Sequence, residues 1–480
     1  MEHHVDKGRA LLLLALTQFM VVIDASITNV ALPSIGRSLH IEQADLSWIV
    51  NAYTLTFGGF LLLGGRLADL VGRRRMFMIG LTVFGVGSLL GGIAQSQGFL
   101  VGARALQGLG AGFASPAALS IVTTTFAEGA ERNRALGIWG AVAGAGGAAG
   151  VLLGGLLTEI DWRLVLFVNV PVAAAVVLSA PRVLVESTAE TEVDTFDVPG
   201  AAAVTAGLAL LVYALVDAHG AGWGSAATIG KLAGAIALLG AFLAIETRAR
   251  HPLMPFRIFR LRTLRGANLV GLFTGMSLFA MFYFLSLYMQ DVLGYSALEA
   301  GLAYLPLAVT IILVAGVAAQ LVTRVGFKPT LIAGMLLVAG GLVWFSRISA
   351  DGSFWVDLLG PSIVVGAGLG MTFVPQMIAA VTGIDPHEAG LASGLINTSQ
   401  QLGGALGVAV LVSVASSRIG PLTSASPQRL TDGYSLAFLV GMFFALAGAA
   451  VAALVISSRD SREHAAAAQR GEAAVEAAAA

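Results

Sequence analysis

Two ionisable side chains sit in runs that otherwise exclude charge. Residues 21–33 read VVIDASITNVALP, and Asp24 interrupts a stretch that is apolar or weakly polar from Leu11 to Pro33. Residues 100–112 read LVGARALQGLGAG and carry Arg104. A charge at the centre of a bilayer costs about 2.5–3.5 kcal/mol on insertion scales, so such residues face a cavity or a partner. With helical rise, Asp24 falls roughly 20 Å from one membrane face and ~10 Å from the other, and Arg104 enters from that second face to ~8 Å. The two therefore arrive at nearly one depth. Two chemistries stay open: a permanent buried ion pair, or a proton carrier, Asp24, tuned by Arg104 as their separation changes. The proton-coupling pair expected is Asp24 and Arg104.

Neutral polar residues on the same and neighbouring runs are candidates for a substrate cavity: Gln18, Asn29, Asn51, Tyr53, Gln107, Asn268, Tyr283, Asn397 and Gln400. Each can equally serve as glue between helices. An otherwise apolar cavity with a single acid suits lipophilic cationic or neutral compounds and argues against sugars and polyanions. The seven histidines fall in tails, loops or run edges, with no metal spacing and no Ser/His arrangement inside the runs. No catalytic residue, metal or cofactor is therefore expected, and the chain reads as no enzyme. A G-x-x-x-x-G-K-[ST] loop is also missing from the sequence. Energy must come from gradients. One charge crossing about 100 mV releases about 2.3 kcal/mol, enough at ~1.36 kcal/mol per decade for a roughly 50-fold gradient.

The elements that position these residues follow from composition. Of 480 residues, 57% are hydrophobic and 11% charged, against about 25% charged in soluble domains. Apolar runs repeatedly reach the ~20 residues a helix needs to cross ~30 Å of hydrocarbon, and alternating ~10-residue barrel strands are not found. The first run is too long for a signal-peptide core and is retained as a span. With no cysteine, disulfides and thiolate metal sites are excluded. Spans are expected at 11–31, 46–66, 76–94, 99–121, 135–157, 164–181, 198–217, 229–247, 267–289, 301–321, 330–348, 356–378, 393–415 and 435–456. That makes fourteen, with both termini on one side. Twenty of the 27 lysines and arginines fall on the segments sharing the amino terminus's side, six on the other, which makes the termini cytoplasmic.

A repeat organises the spans. EGAERNRALGIWGAVAGAGGAAGVL returns 257 residues later as HEAGLASGLINTSQQLGGALGVAVL, and Gly108, Gly110 and Gly112 return as Gly366, Gly368 and Gly370 at offset 258. Spans 1–6 and 9–14 thus read as parallel copies, and transporters so built place substrate near the midplane between their halves. The expected divisions are an amino-terminal six-helix half (1–182), a cytoplasmic linker with inserted helices 7 and 8 (183–250), and an amphipathic cytoplasmic segment (251–266). A carboxy-terminal six-helix half (267–460) and a disordered alanine-rich tail (461–480) follow. Segment 251–266, HPLMPFRIFRLRTLRG, sets four arginines among apolar residues, as a helix lying on anionic lipid does.

The turn GGRLADLVGRRRM (64–76) combines glycines fit for packing and a sharp turn with an aspartate able to cap a helix or pair with arginine. Through Gly65, Asp69, Gly72, Arg73 and Arg74 it resembles the signature loop of the major facilitator superfamily. LVGARALQGLGAG resembles that family's fourth-helix motif through Arg104, Gln107, Gly108 and Gly112. IDASITNVALP resembles the first-helix motif of its 14-span drug–proton antiporters through Asp24, Asn29, Ala31 and Pro33. WRLVLFVNVP (162–171) resembles their sixth-helix motif through Trp162, Arg163, Phe167, Asn169 and Pro171. The resemblance implies an all-α fold of two pseudo-symmetric six-helix bundles plus two inserted helices, fourteen in all. It further implies proton-coupled export of lipophilic drug-like or antibiotic compounds across the cell membrane, with gating roles for Gly65, Asp69, Gly72, Arg73, Arg74, Gly146, Gly150, Gly154 and Gly155. The family's fifth-helix motif ends Gly-Pro-x-x-Gly-Gly; here Val151 replaces the proline between Gly150 and Gly154–Gly155. That departure keeps a proton symporter importing a metabolite open, and a non-transporting membrane sensor is the remaining alternative. The partners expected are the small substrate, protons and membrane lipid, with no nucleic acid, and the chain is expected to be a monomer.

Overall fold

The computed structural model describes residues 6–41, 46–127, 130–188, 198–249, 256–384, 389–419 and 426–479. No strand occurs among them. In hydrocarbon every backbone polar group needs an internal partner, and helices supply it within one segment. In chain order the helices begin with α1 (Lys7–Leu39), α2 (Ser47–Val71), α3 (Arg73–Gly92), α4 (Gln97–Thr125) and α5 (Ala130–Ile160). The next are α6 (Leu164–Phe167), α7 (Asn169–Val183), α8 (Val198–Ala221), α9 (Ala226–Glu246) and α10 (Arg262–Leu287). Then come α11 (Ala297–Ala303), α12 (Leu305–Val325), α13 (Phe327–Phe345), α14 (Leu359–Val381), α15 (Ala389–Ile419), α16 (Pro427–Leu454) and α17 (Ser458–Ala479). Starts are capped where sequence allows. Ser225 Oγ accepts from Thr228 N at 3.1 Å, and Ser296 with Glu299 forms a capping box, each satisfying otherwise orphaned N–H groups.

Among the described residues, twelve helices are long and apolar enough to cross a membrane. The fifth and seventh expected spans fall on α5 and α8, whose described apolar stretches, Ala149–Ile160 and Pro199–Leu215, are shorter.

The chain divides into two compact units. The first comprises Met1–Thr125, Leu153–Arg260 and Ile384–Thr398; the second comprises Phe126–Leu152, Leu261–Gly383 and Ser399–Ala480. These units do not follow chain order as 1–182 and 267–460 do, because α5 and α15 each change unit along their length. The inserted helices α8 and α9 belong to the first unit.

The repeat is visible in how the units are packed. A Cβ at Gly110 of α4 would come within 2.6 Å of Gly80 O on α3, while Gly112 faces Phe57 O of α2 at 3.2 Å. In the second unit Gly368 of α14 meets Val338 N of α13 at 2.6 Å, and Gly370 meets Ile311 O of α12 at 2.9 Å. One glycine-rich helix thus wedges between its two predecessors in each unit, backbone against backbone, which only small residues permit. The turns before α3 and α13 repeat as well, with Gly72 at φ +118° and Gly326 at φ +91°, conformations natural only to glycine.

Two expected segments differ. In the alanine-rich tail α17 spans Ser458–Ala479 and buries Ser461, Ala465 and Ala468, an i, i+4, i+7 face. Alanine-rich composition reads as low complexity, yet alanine is the strongest helix former, and this face docks in the second unit. In 251–266, residues 251–255 lie outside the described set, Phe256–Arg260 forms a short 3-10 turn, and Arg262 already opens α10. No separate amphipathic helix forms among the described residues of that segment, because the apolar side chains feed directly into a long core helix.

Candidate functional site

Asp24 of α1 and Arg104 of α4 meet in the first unit, with Nη1 donating to Oδ2 at 2.6 Å and both side chains 0% exposed. The carboxylate accepts two more hydrogen bonds at Oδ1, from Gln107 Nε2 at 3.0 Å and from Asn169 Nδ2 of α7 at 2.8 Å. Gln107 and Asn169 also donate to Ser88 Oγ of α3, at 2.7 and 3.1 Å, and Ser88 donates to Leu166 O. The guanidinium is fixed from its other sides. Nε donates to Ile49 O at 3.2 Å, Nη1 to Gln107 Oε1 at 2.9 Å, and the group lies 4.5 Å over the Tyr53 ring. Tyr53 in turn donates to Val21 O at 3.3 Å.

Each bond follows from local structure. Residues 104 and 107 stand three apart on one face of α4, so both side chains reach the same neighbour. Asn169 is the first residue of α7, which follows α6 through a Val168 of helical geometry. Charge-assisted hydrogen bonds in a dry interior are the strong ones, and three donors converge on this one carboxylate. Arg104 Nη2 has no hydrogen-bond partner among the described residues, leaving one spare donor beside Asp24.

A second charged cluster lies at the α2–α3 turn. Asp69 is fully buried and splits its oxygens: Oδ1 accepts from Arg73 Nε and Nη2 at 3.2 and 3.0 Å, and Oδ2 accepts from Leu391 N at 3.2 Å. Leu391 lies in the first turn of α15, where unpaired N–H groups attract a carboxylate. Gly72 is followed by the start of α3, whose Arg74 and Arg75 N–H groups donate to Glu186 at 3.0 and 3.2 Å. A Cβ at Gly72 would come within 2.7 Å of that carboxylate. Gly65 is buried in α2.

The remaining candidates scatter. Gln18 is buried and accepts from Ser115 Oγ at 3.2 Å. Asn29 is exposed and donates to Ala25 O of its own helix, and no bond to Asp24 is seen among the described residues. The side chain of Asn51 lies outside the described residues. In the second unit Asn268 accepts from Ser399 Oγ at 2.9 Å, and Tyr283 is 42% exposed. Asn397 is half-buried on α15. Gln400 has a buried Nε2 with no partner among the described residues. Gly146, Gly150, Gly154 and Gly155 are buried in α5, where a Cβ at Gly154 would come within 3.1 Å of Ile27 O of α1. Without the proline, α5 runs unbroken from Ala130 to Ile160.

Sequence reasoning missed Ser88, the Ile49 carbonyl and Glu186, and placed Asn169 in a motif without assigning it to the site. Gln376 of α14 was missed too: it is 0% exposed, with neither Nε2 nor Oε1 hydrogen-bonded among the described residues. Among the described residues no group of three or more His, Cys, Asp or Glu could hold a metal ion.

A helical chain with many membrane-length apolar helices, built of two units that repeat one packing motif with a buried ion pair inside the first, defines a polytopic membrane protein of repeat architecture. The sequence model described as Major Facilitator Superfamily matches residues 14–408. The chain belongs to the major facilitator superfamily and is a membrane transporter, not an enzyme. The cephamycin export protein CmcT of Amycolatopsis lactamdurans is 44% identical over 442 residues, 91% of this chain and 90% of its own. The puromycin resistance protein pur8 of Streptomyces alboniger is 39% identical over 462 residues, 94% of this chain and 91% of its own. The crystal structure of the human organic anion transporter MFSD10 (TETRAN) superposes with a TM-score of 0.66 at 15% identity, covering 93% of this chain and 99% of that one.

Proposed function

We propose that this protein exports lipophilic drug-like or antibiotic compounds in exchange for protons, by alternating access, from a fourteen-span fold with both termini cytoplasmic. It works in the cell membrane as a monomer. The observation that carries the reading is the enclosed network in which Asp24 accepts from Arg104, Gln107 and Asn169. Protonating this carboxylate would remove the charge that Arg104 pairs with. Proton uptake is thereby tied to a rearrangement of α4 and α7, which supply the donors, and that is the coupling an antiporter needs. The spare Arg104 Nη2 gives the guanidinium somewhere to turn when Asp24 is neutral. Export is supported by the names of the cephamycin and puromycin relatives. The unpartnered atoms of Gln376 and Gln400 in the second unit are groups that a bound compound can satisfy. Asp69 with Arg73 and Gly72 act as the cytoplasmic gate, and the α5 glycines as its close-packed hinge.

A proton symporter is the second reading, favoured by one observation: α5 carries Val151 where the antiporter motif has proline, and runs unbroken. Inside-out vesicles with an acidic lumen separate the two. With a panel of lipophilic cations and antibiotics, antiport predicts that adding a compound releases lumenal protons in wild type and not in Asp24→Asn. Compound-driven movement of protons into the lumen would instead establish symport. Wild-type flux retained in Asp24→Asn would remove Asp24 from the mechanism.

A further inference from the structure

The two copies place different residues at the same turn. At offset 254, Gly72 corresponds to Gly326 and Arg74 to Lys328, and the structure repeats their contacts. Arg74 Nη1 donates to Leu184 O beyond α7 at 3.1 Å, and Lys328 Nζ donates to Ile456 O beyond α16 at 2.8 Å. The start of α3 is capped by Glu186, and the start of α13 by Ser461, whose Oγ accepts from Lys328 N at 3.0 Å. At the same offset, however, Asp69 and Arg73 become Thr323 and Phe327. The second copy therefore has no carboxylate to reach the helix that corresponds to α15.

That corresponding helix is α5, at offset 257, where Asn133 stands opposite Gly390 and next to the counterpart of Leu391. Within the second unit, His464 of α17 places Nε2 3.0 Å from Asn133 Oδ1. The bond is made by the tautomer carrying its proton on Nε2. The His464 ring also lies edge-on to Phe327, centroids 5.7 Å apart. Farther along α17, Gln469 Nε2 donates to the Thr323 and Arg324 carbonyls at 3.2 and 3.0 Å, closing the carboxy end of α12. So α17 grips both sides of the α12–α13 turn and presents one polar group to the first turns of α5.

We infer that α17 is the second copy's latch, and that His464 is a positioning residue doing for the start of α5 what Asp69 does for the start of α15. Both gripped helices continue into the other unit, α5 from Leu153 and α15 from Ser399. Holding or releasing their first turns is thus a means of biasing the transport cycle. The inference rests on the alternating-access reading, and its test separates the two.

The chain has no cysteine, so single reporters are unambiguous. Ala135 and Ala392 correspond at offset 257 and are 1% and 0% exposed. Full-length Ala135→Cys and Ala392→Cys proteins in inside-out vesicles are labelled with a membrane-impermeant maleimide. His464→Ala and Asn133→Ala should each speed labelling at Ala135→Cys by about 5- to 10-fold, the weight of one buried hydrogen bond. His464→Gln, which keeps an N–H donor at nearly the same reach, should stay within about twofold of wild type. Asp69→Asn, as the first latch's control, should speed Ala392→Cys. Comparable monodispersity on size exclusion checks that the variants are folded. The latch is overturned if Asp69→Asn speeds its reporter while His464→Ala leaves Ala135→Cys at the wild-type rate. It is also overturned if His464→Gln behaves as His464→Ala does. If neither latch variant changes its reporter, the alternating-access reading falls along with it.

Discussion

Removing one partner from the Asp24–Arg104 pair should cost far more than removing both. Arg104→Leu leaves a carboxylate at 0% exposure with two neutral amide donors, Gln107 and Asn169. Breaking a buried pair from one side costs about 3–5 kcal/mol, because the remaining charge is uncompensated. Asp24→Asn strands the guanidinium instead, with Ile49 O, Gln107 Oε1 and the Tyr53 ring as its remaining neighbours. These partners soften the loss, so Asp24→Asn should cost about 2–3 kcal/mol. In the double variant neither charge of the pair remains. Replacing both members of such a pair is often close to neutral, and the Asn side chain still receives Asn169. The double variant should therefore be at least 2 kcal/mol more stable than the sum of the single losses, a coupling expected only of residues in contact. Reversible unfolding in mixed micelles, followed by tryptophan fluorescence, measures all four proteins. Single losses that simply add in the double variant would refute the contact geometry and everything built on it.

Four further outcomes follow from other parts of the structure. Gln376→Leu removes two buried unpartnered polar atoms and should stabilise the substrate-free protein by about 1 kcal/mol while lowering compound-driven proton flux; unfolding and vesicle assays together decide it. Gly110→Val and Gly368→Val drive side chains into backbone at 2.6 Å and should each lose about 1–3 kcal/mol or more. Gly102→Ala, with nothing within 4 Å of its Cβ, should gain up to ~1 kcal/mol from helix propensity. Glu186→Gln removes the charge that caps α3 at the Arg74 and Arg75 N–H groups. It should cost about 0.5–1 kcal/mol, with the loss shrinking in high salt.

Much of the site was legible because charge is conspicuous in apolar sequence. Asp24 and Arg104 announce themselves, and counting helical rise from opposite faces puts them at one depth. Gln107 follows from sharing a helix face with Arg104. Ser88 carries no such signal, since a serine in an apolar helix satisfies itself on its own backbone, and the Ile49 carbonyl is invisible in any side-chain reading. Asn29 shows the converse. It shares the Asp24 run, but it is exposed and donates to Ala25 O of its own helix. The glycine triplets identified the repeat, and the helical periodicity of i, i+2 and i+4 explains why alternate glycines of α4 and α14 face different neighbours. What composition concealed was the tail. Its order comes from the Ser461, Ala465 and Ala468 face meeting a turn some 130 residues away in sequence, with Lys328 on Ser461, and no local pattern reports that. The change of unit within α5 and α15 is likewise a tertiary fact.

The proposed antiport requires Asp24 to take up a proton during the cycle. Infrared difference spectroscopy on purified protein in lipid, stepped between acidic and alkaline buffer, tests it without any knowledge of the substrate. A protonated-carboxyl C=O band should appear on acidification in wild type and be missing in Asp24→Asn. If no band lost in Asp24→Asn appears at any pH at which the protein stays folded, Asp24 is a permanent structural anion, and the proton-coupled account is contradicted.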